Sequence, residues 1–131
     1  MRNLSKVLIA DDDPDIIESL AMMLEDENCV VEGVCGKETI EKVNNWLPHL
    51  LFLDLWMPGM DGREICERLK GQALTRHIPI IMFSANRDAE TIAAEVNADG
   101  LLAKPFEMED VLALVRKYCH REYAPPKRET T

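Results

Sequence analysis

The chain has 131 residues, enough for one domain that buries its own core without disulfide or metal staples. Hydrophobic residues make up 47% and charged residues 30%, and no apolar run nears the ~20 residues that a bilayer span needs. Net charge is −9, with an acidic body up to residue 115 and a basic end (Arg116, Lys117, Arg121, Lys127, Arg128), which argues against nonspecific nucleic-acid binding as the main activity.

Met1-Arg2-Asn3-Leu4-Ser5-Lys6 shows no signal-peptide pattern and leads straight into the apolar run Val7-Leu8-Ile9-Ala10, so the expected location is cytoplasmic. That first strand is followed by Asp13-Pro14, an N-cap and a proline suited to the first helical position, and then by Ile16, Leu20 and Leu24 at helical spacing. A second strand, Val30-Val31-Glu32-Gly33-Val34, is interrupted by a charge and reads as an edge strand. Ile40 and Val43 mark the next helix, Leu50-Leu51-Phe52-Leu53 the third strand, and Ile65 and Leu69 the third helix. The fourth strand is predicted over Ile78–Phe83, and Ile92 and Val96 carry its helix. Gly100-Leu101-Leu102-Ala103 and a helix through Val111, Leu114, Val115 and Tyr118 complete the series. Continuous apolar runs suit strands buried on both faces, and five β-α units with right-handed crossovers give an α/β fold with helices on both faces of one parallel sheet. Periodicity leaves the strand order open. Ala124 to Thr131, with its Pro-Pro pair, reads as a disordered tail or a cut linker, and the domain is expected to end near residue 122.

The four cysteines (Cys29, Cys35, Cys66, Cys119) form no Cys-x-x-Cys pair, and His49, His77 and His120 are scattered. They are expected to be small hydrophobes in a reducing compartment rather than zinc ligands.

In open parallel sheets, ligands bind beyond the carboxyl ends of the strands. In this chain the first strand ends in Asp11-Asp12-Asp13, the third in Asp54, the fourth in Ser84 and the fifth in Lys104-Pro105. Each residue has a bland explanation alone: Asp13 as helix cap, Ser84 as turn residue, Lys104 as surface lysine. Asp11, Asp12 and Asp54 together would repel unless a cation neutralised them, and hard oxygen ligands suit Mg²⁺, which takes one or two carboxylates plus phosphate oxygens. Lys104 could pair with a carboxylate in the empty site and with phosphate in the loaded one. The chemistry points to a phosphoryl group bound with Mg²⁺, with Asp54 as nucleophile, because it follows a buried strand and precedes the turn-rich loop Leu55–Gly62. Gly59 and Gly62 read as turn residues.

Val7–Asp13, Phe52–Gly62, Ile80–Ala85 and Leu102-Ala103-Lys104-Pro105-Phe106 resemble the four signature segments of response-regulator receiver domains, in the right order and across roughly residues 5–120. The resemblance implies a flavodoxin-like (βα)5 fold with strand order 2-1-3-4-5. It implies Asp54 as phosphoacceptor, Asp12 as direct Mg²⁺ ligand, Asp11 acting through water, and the Trp56 carbonyl as a further ligand. It also implies that the Ser84 hydroxyl and Lys104 contact the phosphoryl group and that the Lys104-Pro105 bond is cis. The implied partners are a sensor histidine kinase or phosphotransfer protein and a downstream protein, and a homodimer is an assembly the resemblance allows. The implied reaction changes only the chain itself, so the protein is not expected to be an enzyme.

Two positions depart from the family's usual pattern: Leu101, where Tyr or Phe is common, and the bulky Trp56. A haloacid-dehalogenase-like phosphatase would need Asp-x-Asp at the nucleophile, whereas Leu55 and Trp56 follow Asp54. A phosphorylation-independent docking receiver would usually lack part of the acidic cluster or the lysine. Nothing after residue 120 is long enough for an output domain, which fits either a stand-alone receiver or a piece of a longer regulator.

Overall fold

The computed structural model describes residues 4–85 and 89–119. The expected domain end at residue 122, the tail and His120 lie outside the described residues, as do residues 86–88.

In chain order the elements are β1 (Ser5–Ala10), α1 (Pro14–Met23), β2 (Cys29–Val34), α2 (Thr39–Trp46), β3 (Leu50–Asp54), β4 (Trp56–Met57), β5 (Met60–Asp61), α3 (Gly62–Lys70), β6 (Ile80–Ser84), α4 (Ala89–Glu95), β7 (Gly100–Ala103) and α5 (Met108–Tyr118). A single turn of 3₁₀ helix, Gly36–Glu38, precedes α2. The long strands form one parallel sheet in the order β2-β1-β3-β6-β7, which is 2-1-3-4-5 when the five long strands are counted.

Burial explains the runs. β3 and β6 are buried along their whole length, and they lie second and third from the β7 edge, covered on both faces. β2 pairs only with β1 and is nowhere fully buried, as the charge at Glu32 foretold. Side chains alternate between two cores. Leu8, Leu51, Leu53, Ile80 and Met82 face the helices α2, α3 and α4, through Val43, Ile65, Leu69 and Ala93. Val7, Ile9, Phe52, Ile81 and Phe83 face α1 and α5, through Leu20, Val111 and Val115. Each fully buried Leu or Phe contributes about 1.5–3 kcal/mol by transfer from water.

Boundaries moved where local chemistry outweighed the apolar run. β6 starts at Ile80, because Pro79 has no amide hydrogen for the ladder. Leu24 caps α1 rather than extending it. The loop after Asp54 holds an unanticipated short hairpin, β4 with β5, turned by Pro58 and by Gly59 at φ +79°. Gly62 serves a different purpose: a Cβ there would lie 2.7 Å from the Asp54 carbonyl oxygen and 2.8 Å from that of Leu55. Close backbone approach, rather than turn geometry, requires this glycine.

Candidate functional site

The carboxyl edge of the sheet collects the charges. β1 and β3 are adjacent and parallel, which sets Asp11 beside the end of the central strand, where Asp54 sits. The Asp11 amide donates to the Val34 carbonyl (3.1 Å), and the Asp13 amide donates to Asp11 Oδ1 (2.9 Å), which fixes the Asp11 carboxylate. Asp13 does what a cap does: its Oδ1 accepts from the Asp15 amide at 2.9 Å. Its side chain therefore belongs to α1.

Lys104 reaches the cluster from the end of β7. Its amide donates to the Ser84 carbonyl (3.1 Å), and the Lys104-Pro105 bond is cis. The ammonium lies 3.2 Å from Asp11 Oδ2 and 3.5 Å from Asp54 Oδ1, and 4.9 Å above the Phe83 ring. One cation is thus shared by two carboxylates that are both nearly out of solvent, Asp11 at 2% and Asp54 at 8% exposure. Burial, then the facing charge of Asp11, push the Asp54 carboxyl above its ordinary value; Lys104 and the Trp56 amide, which hydrogen-bonds the carboxylate, oppose this without cancelling it. Ser84 ends β6 at 6% exposure, beside Ala103 in the register.

The predicted residues are not all gathered equally. Asp11, Asp54 and Lys104 meet directly. Asp12 is only partly buried and lines a neighbouring cleft of about 340 Å³ with Cys35, Gly36 and Pro58–Met60. Trp56 supplies its amide to Asp54 while its side chain stays 44% exposed. Among the described residues no three His, Cys, Asp or Glu side chains are drawn into one metal-holding cluster, so the carboxylates do not form a ready cage. Lys104 occupies the place between Asp11 and Asp54 because two buried carboxylates need a positive neighbour.

The donor chemistry still fits a hard divalent cation. The Asp11 and Asp54 carboxylates are hard oxygen donors, and burial followed by the Asp11 charge holds Asp54 above its ordinary value despite the lysine, so a further cation is favoured beside it. Mg²⁺ keeps several waters and needs only one or two carboxylates, so a complete protein cage is not required.

Three contributors were not anticipated. Phe83 supports Lys104, packs edge-on against Phe52 with ring centroids 6.3 Å apart, and lies tilted against Phe106 at 6.1 Å. Arg63 stacks 5.0 Å over the Trp56 ring and forks onto Asp61 through Nε and Nη2, the latter at 2.6 Å. Asp61 also caps α3 by accepting from the Arg63 amide, and the Arg63 bond holds its carboxyl below the usual range. The sequence signal was available: Asp61-Gly62 before an amphipathic stretch is an N-cap signature. The paired Arg63 was not legible from spacing. Another cleft, of about 440 Å³, lies at the opposite ends of the strands; its lining includes His49, His77 and Tyr118 and no carboxylate, so the acidic chemistry stays at the carboxyl edge.

Comparison with known proteins agrees with this geometry. The chain is 34% identical over 122 residues to the DNA-binding dual master transcriptional regulator RpaA of Synechocystis, a match covering 88% of this chain and 49% of that protein. It spans about half the length of the curated relatives it matches, 49–53%. Among solved structures it is similar to the chemotaxis response regulator CheY4 of Vibrio cholerae, with 27% identity and a TM-score of 0.81 over 88% of this chain and 99% of the other. A likeness of fold, at 22% identity and TM-score 0.79, relates 88% of the chain to 98% of the receiver domain of a Pseudomonas aeruginosa sensor histidine kinase, which holds a magnesium ion in its active site cleft. Residues 7–116 match the family described as the response regulator receiver domain. With the parallel sheet in the order β2-β1-β3-β6-β7 and the acidic carboxyl edge that it builds, this chain belongs to the response regulator receiver domain family.

Proposed function

We propose that this receiver accepts a phosphoryl group on Asp54 from a phosphohistidine of a sensor histidine kinase or phosphotransfer protein, in a Mg²⁺-dependent reaction, and switches conformation to regulate a partner or output domain. The observation that carries the reading is the buried Asp54 carboxylate, facing Asp11 and sharing one lysine with it at the end of the central strand.

In the transfer, an Asp54 carboxylate oxygen bonds to phosphorus as the nitrogen–phosphorus bond of the donor breaks, and the imidazole leaves with its electron pair. The Trp56 amide holds the Asp54 carboxylate, and the Asp13 amide fixes Asp11, so the attacking oxygen is positioned beforehand. Lys104 turns from its shared carboxylates to a phosphoryl oxygen, and the Ser84 hydroxyl takes another. Mg²⁺ would be held by Asp12, Asp54 and the Trp56 carbonyl, with Asp11 acting through water, and would neutralise charge on the phosphoryl oxygens. The reaction acts on the chain's own carboxylate, so the protein is a switch rather than an enzyme with turnover. A cytoplasmic setting fits this role, and no helix among the described residues is long and apolar enough to cross a membrane. RpaA is a DNA-binding regulator; for this domain by itself we propose no nucleic-acid contact, since its body is acidic.

The test is intact-mass measurement after treatment with acetyl phosphate. One phosphate adds to the wild type with Mg²⁺, and none adds to Asp54→Asn or to the wild type in a chelator. Wild-type labelling of Asp54→Asn overturns the assignment.

A further inference from the structure

Two cysteines that lie far apart in sequence meet at the amino-terminal end of the sheet. Cys29 opens the edge strand β2, and Cys119 caps the end of α5. Arg116 clamps these elements together: its Nε and Nη2 fork onto Glu27, at 3.2 and 2.9 Å, just before β2 begins. Both cysteines join the apolar cluster on the α1–α5 face, Cys119 with no exposure and Cys29 partly buried at its rim. The two thiols are side-chain hydrogen-bond partners, and the Cys29 thiol donates to the Glu27 carbonyl at 3.4 Å.

The four thiols therefore differ. Burial pushes Cys66 up to about 11, leaving it almost wholly protonated. Cys35 is exposed. Cys29 combines solvent access with a contacting second thiol, and that thiol's hydrogen bond lowers its pKa against burial and the Glu27 charge.

We propose that Cys29 and Cys119 form a reversible oxidation site for peroxides, with Cys29 as the reacting thiol and Cys119 as the resolving one. The Cys29 thiolate attacks a peroxide oxygen, the O–O bond breaks, and Cys29 becomes a sulfenic acid as water or an alcohol leaves. The Cys119 thiolate then attacks that sulfur, the S–O bond breaks and the hydroxide departs as water. Two thiols and one peroxide thus give one disulfide, one water and one alcohol or second water. The bond ties the last turn of α5 to the edge strand on the opposite border from β7, adding a covalent link where Arg116 and Glu27 already hold. It also closes a long loop in the unfolded chain, which raises stability.

The experiment treats the full chain with one equivalent of hydrogen peroxide, alkylates it after unfolding in denaturant and maps its peptides without reduction. The expected product has lost two hydrogens, links Cys29 to Cys119, leaves Cys35 and Cys66 alkylatable, melts at higher temperature and reverts with dithiothreitol. In Cys119→Ser, dimedone is expected to capture a sulfenic acid on Cys29; in Cys29→Ser, Cys119 stays unlabelled. The variant at the partly buried Cys29 keeps the test open if the fully buried Cys119 variant folds poorly. Oxidation at Cys35 with Cys29 and Cys119 both still alkylatable, or a peroxide-treated chain with no 29–119 link, overturns the proposal.

Discussion

Two lysine–aspartate clusters sit at opposite ends of the same sheet, and they use their charges differently. At the amino end, Lys70 Nζ donates to Asp99 Oδ2 at 2.7 Å and to the Ile78 carbonyl at 2.9 Å, while the Ile80 amide donates to the same Asp99 oxygen at 2.8 Å. The Asp99 amide returns a bond to the Ile80 carbonyl at 2.8 Å. One cation meets one carboxylate, the geometry is tight, and the cluster joins the end of α3 to the starts of β6 and β7. At the carboxyl end, Lys104 is stretched between two carboxylates at 3.2 and 3.5 Å, and one of them, Asp54, is held above its ordinary pKa. The first arrangement is a finished structural tie. The second holds a carboxylate whose charge is disfavoured, first by burial and then by Asp11, a cost in stability that a further cation at the site would offset.

Asp99→Ala should break the finished cluster most severely. It orphans the Ile80 amide and leaves the Lys70 ammonium with carbonyl acceptors but no carboxylate, for an expected loss of about 2 kcal/mol, with the two partly exposed side chains keeping it from being larger. Urea denaturation measures this; an unchanged midpoint would show that the tie contributes little to the fold.

The opposite sign is expected at the other end. Asp54→Asn removes the buried charge that Asp11 opposes, and the apo protein should gain about 1 kcal/mol at neutral pH. Because the folded-state pKa of Asp54 lies above 3.8, ionisation costs stability at pH values above the raised value and nothing below 3.8. The advantage of the Asn variant should therefore shrink as pH falls through that window. Thermal melts of both proteins against pH check the sign, and a difference that grows on acidification contradicts it.

Leu101 belongs to neither cluster. It sits partly buried on β7, packed against the α2–α4 side of the sheet opposite Met82 in register. Leu101→Ala should cost about 1 kcal/mol, below the 2–5 kcal/mol of a fully buried leucine. The response to beryllofluoride should survive, because a leucine has no polar tip to exchange between water and the interior. NMR shifts along α4 in the variant read this out; their loss, with metal binding intact, makes Leu101 a required switch element.

The sequence by itself determined the class of the fold and the residues of its acidic edge. Strands buried on both faces must be apolar throughout, and helices on either side must show helical spacing, so five β-α units were legible without coordinates. Side chains placed just past strand ends share one border in any parallel sheet, which nominated Asp11, Asp12, Asp54, Ser84 and Lys104. Strand order came from the family resemblance, not from pattern, because an apolar run carries no record of its neighbour. The tertiary structure alone decided that Lys104 stands between Asp11 and Asp54, that Asp12 is held at a neighbouring cleft, and that Gly62 is required by the carbonyls beneath it. It also brought Cys29 to Cys119, and Arg63 to both Asp61 and Trp56. Distances of this kind arise from how helices pack onto a twisted sheet, and the periodicity of a single chain segment encodes only which face it buries, not what will meet it there.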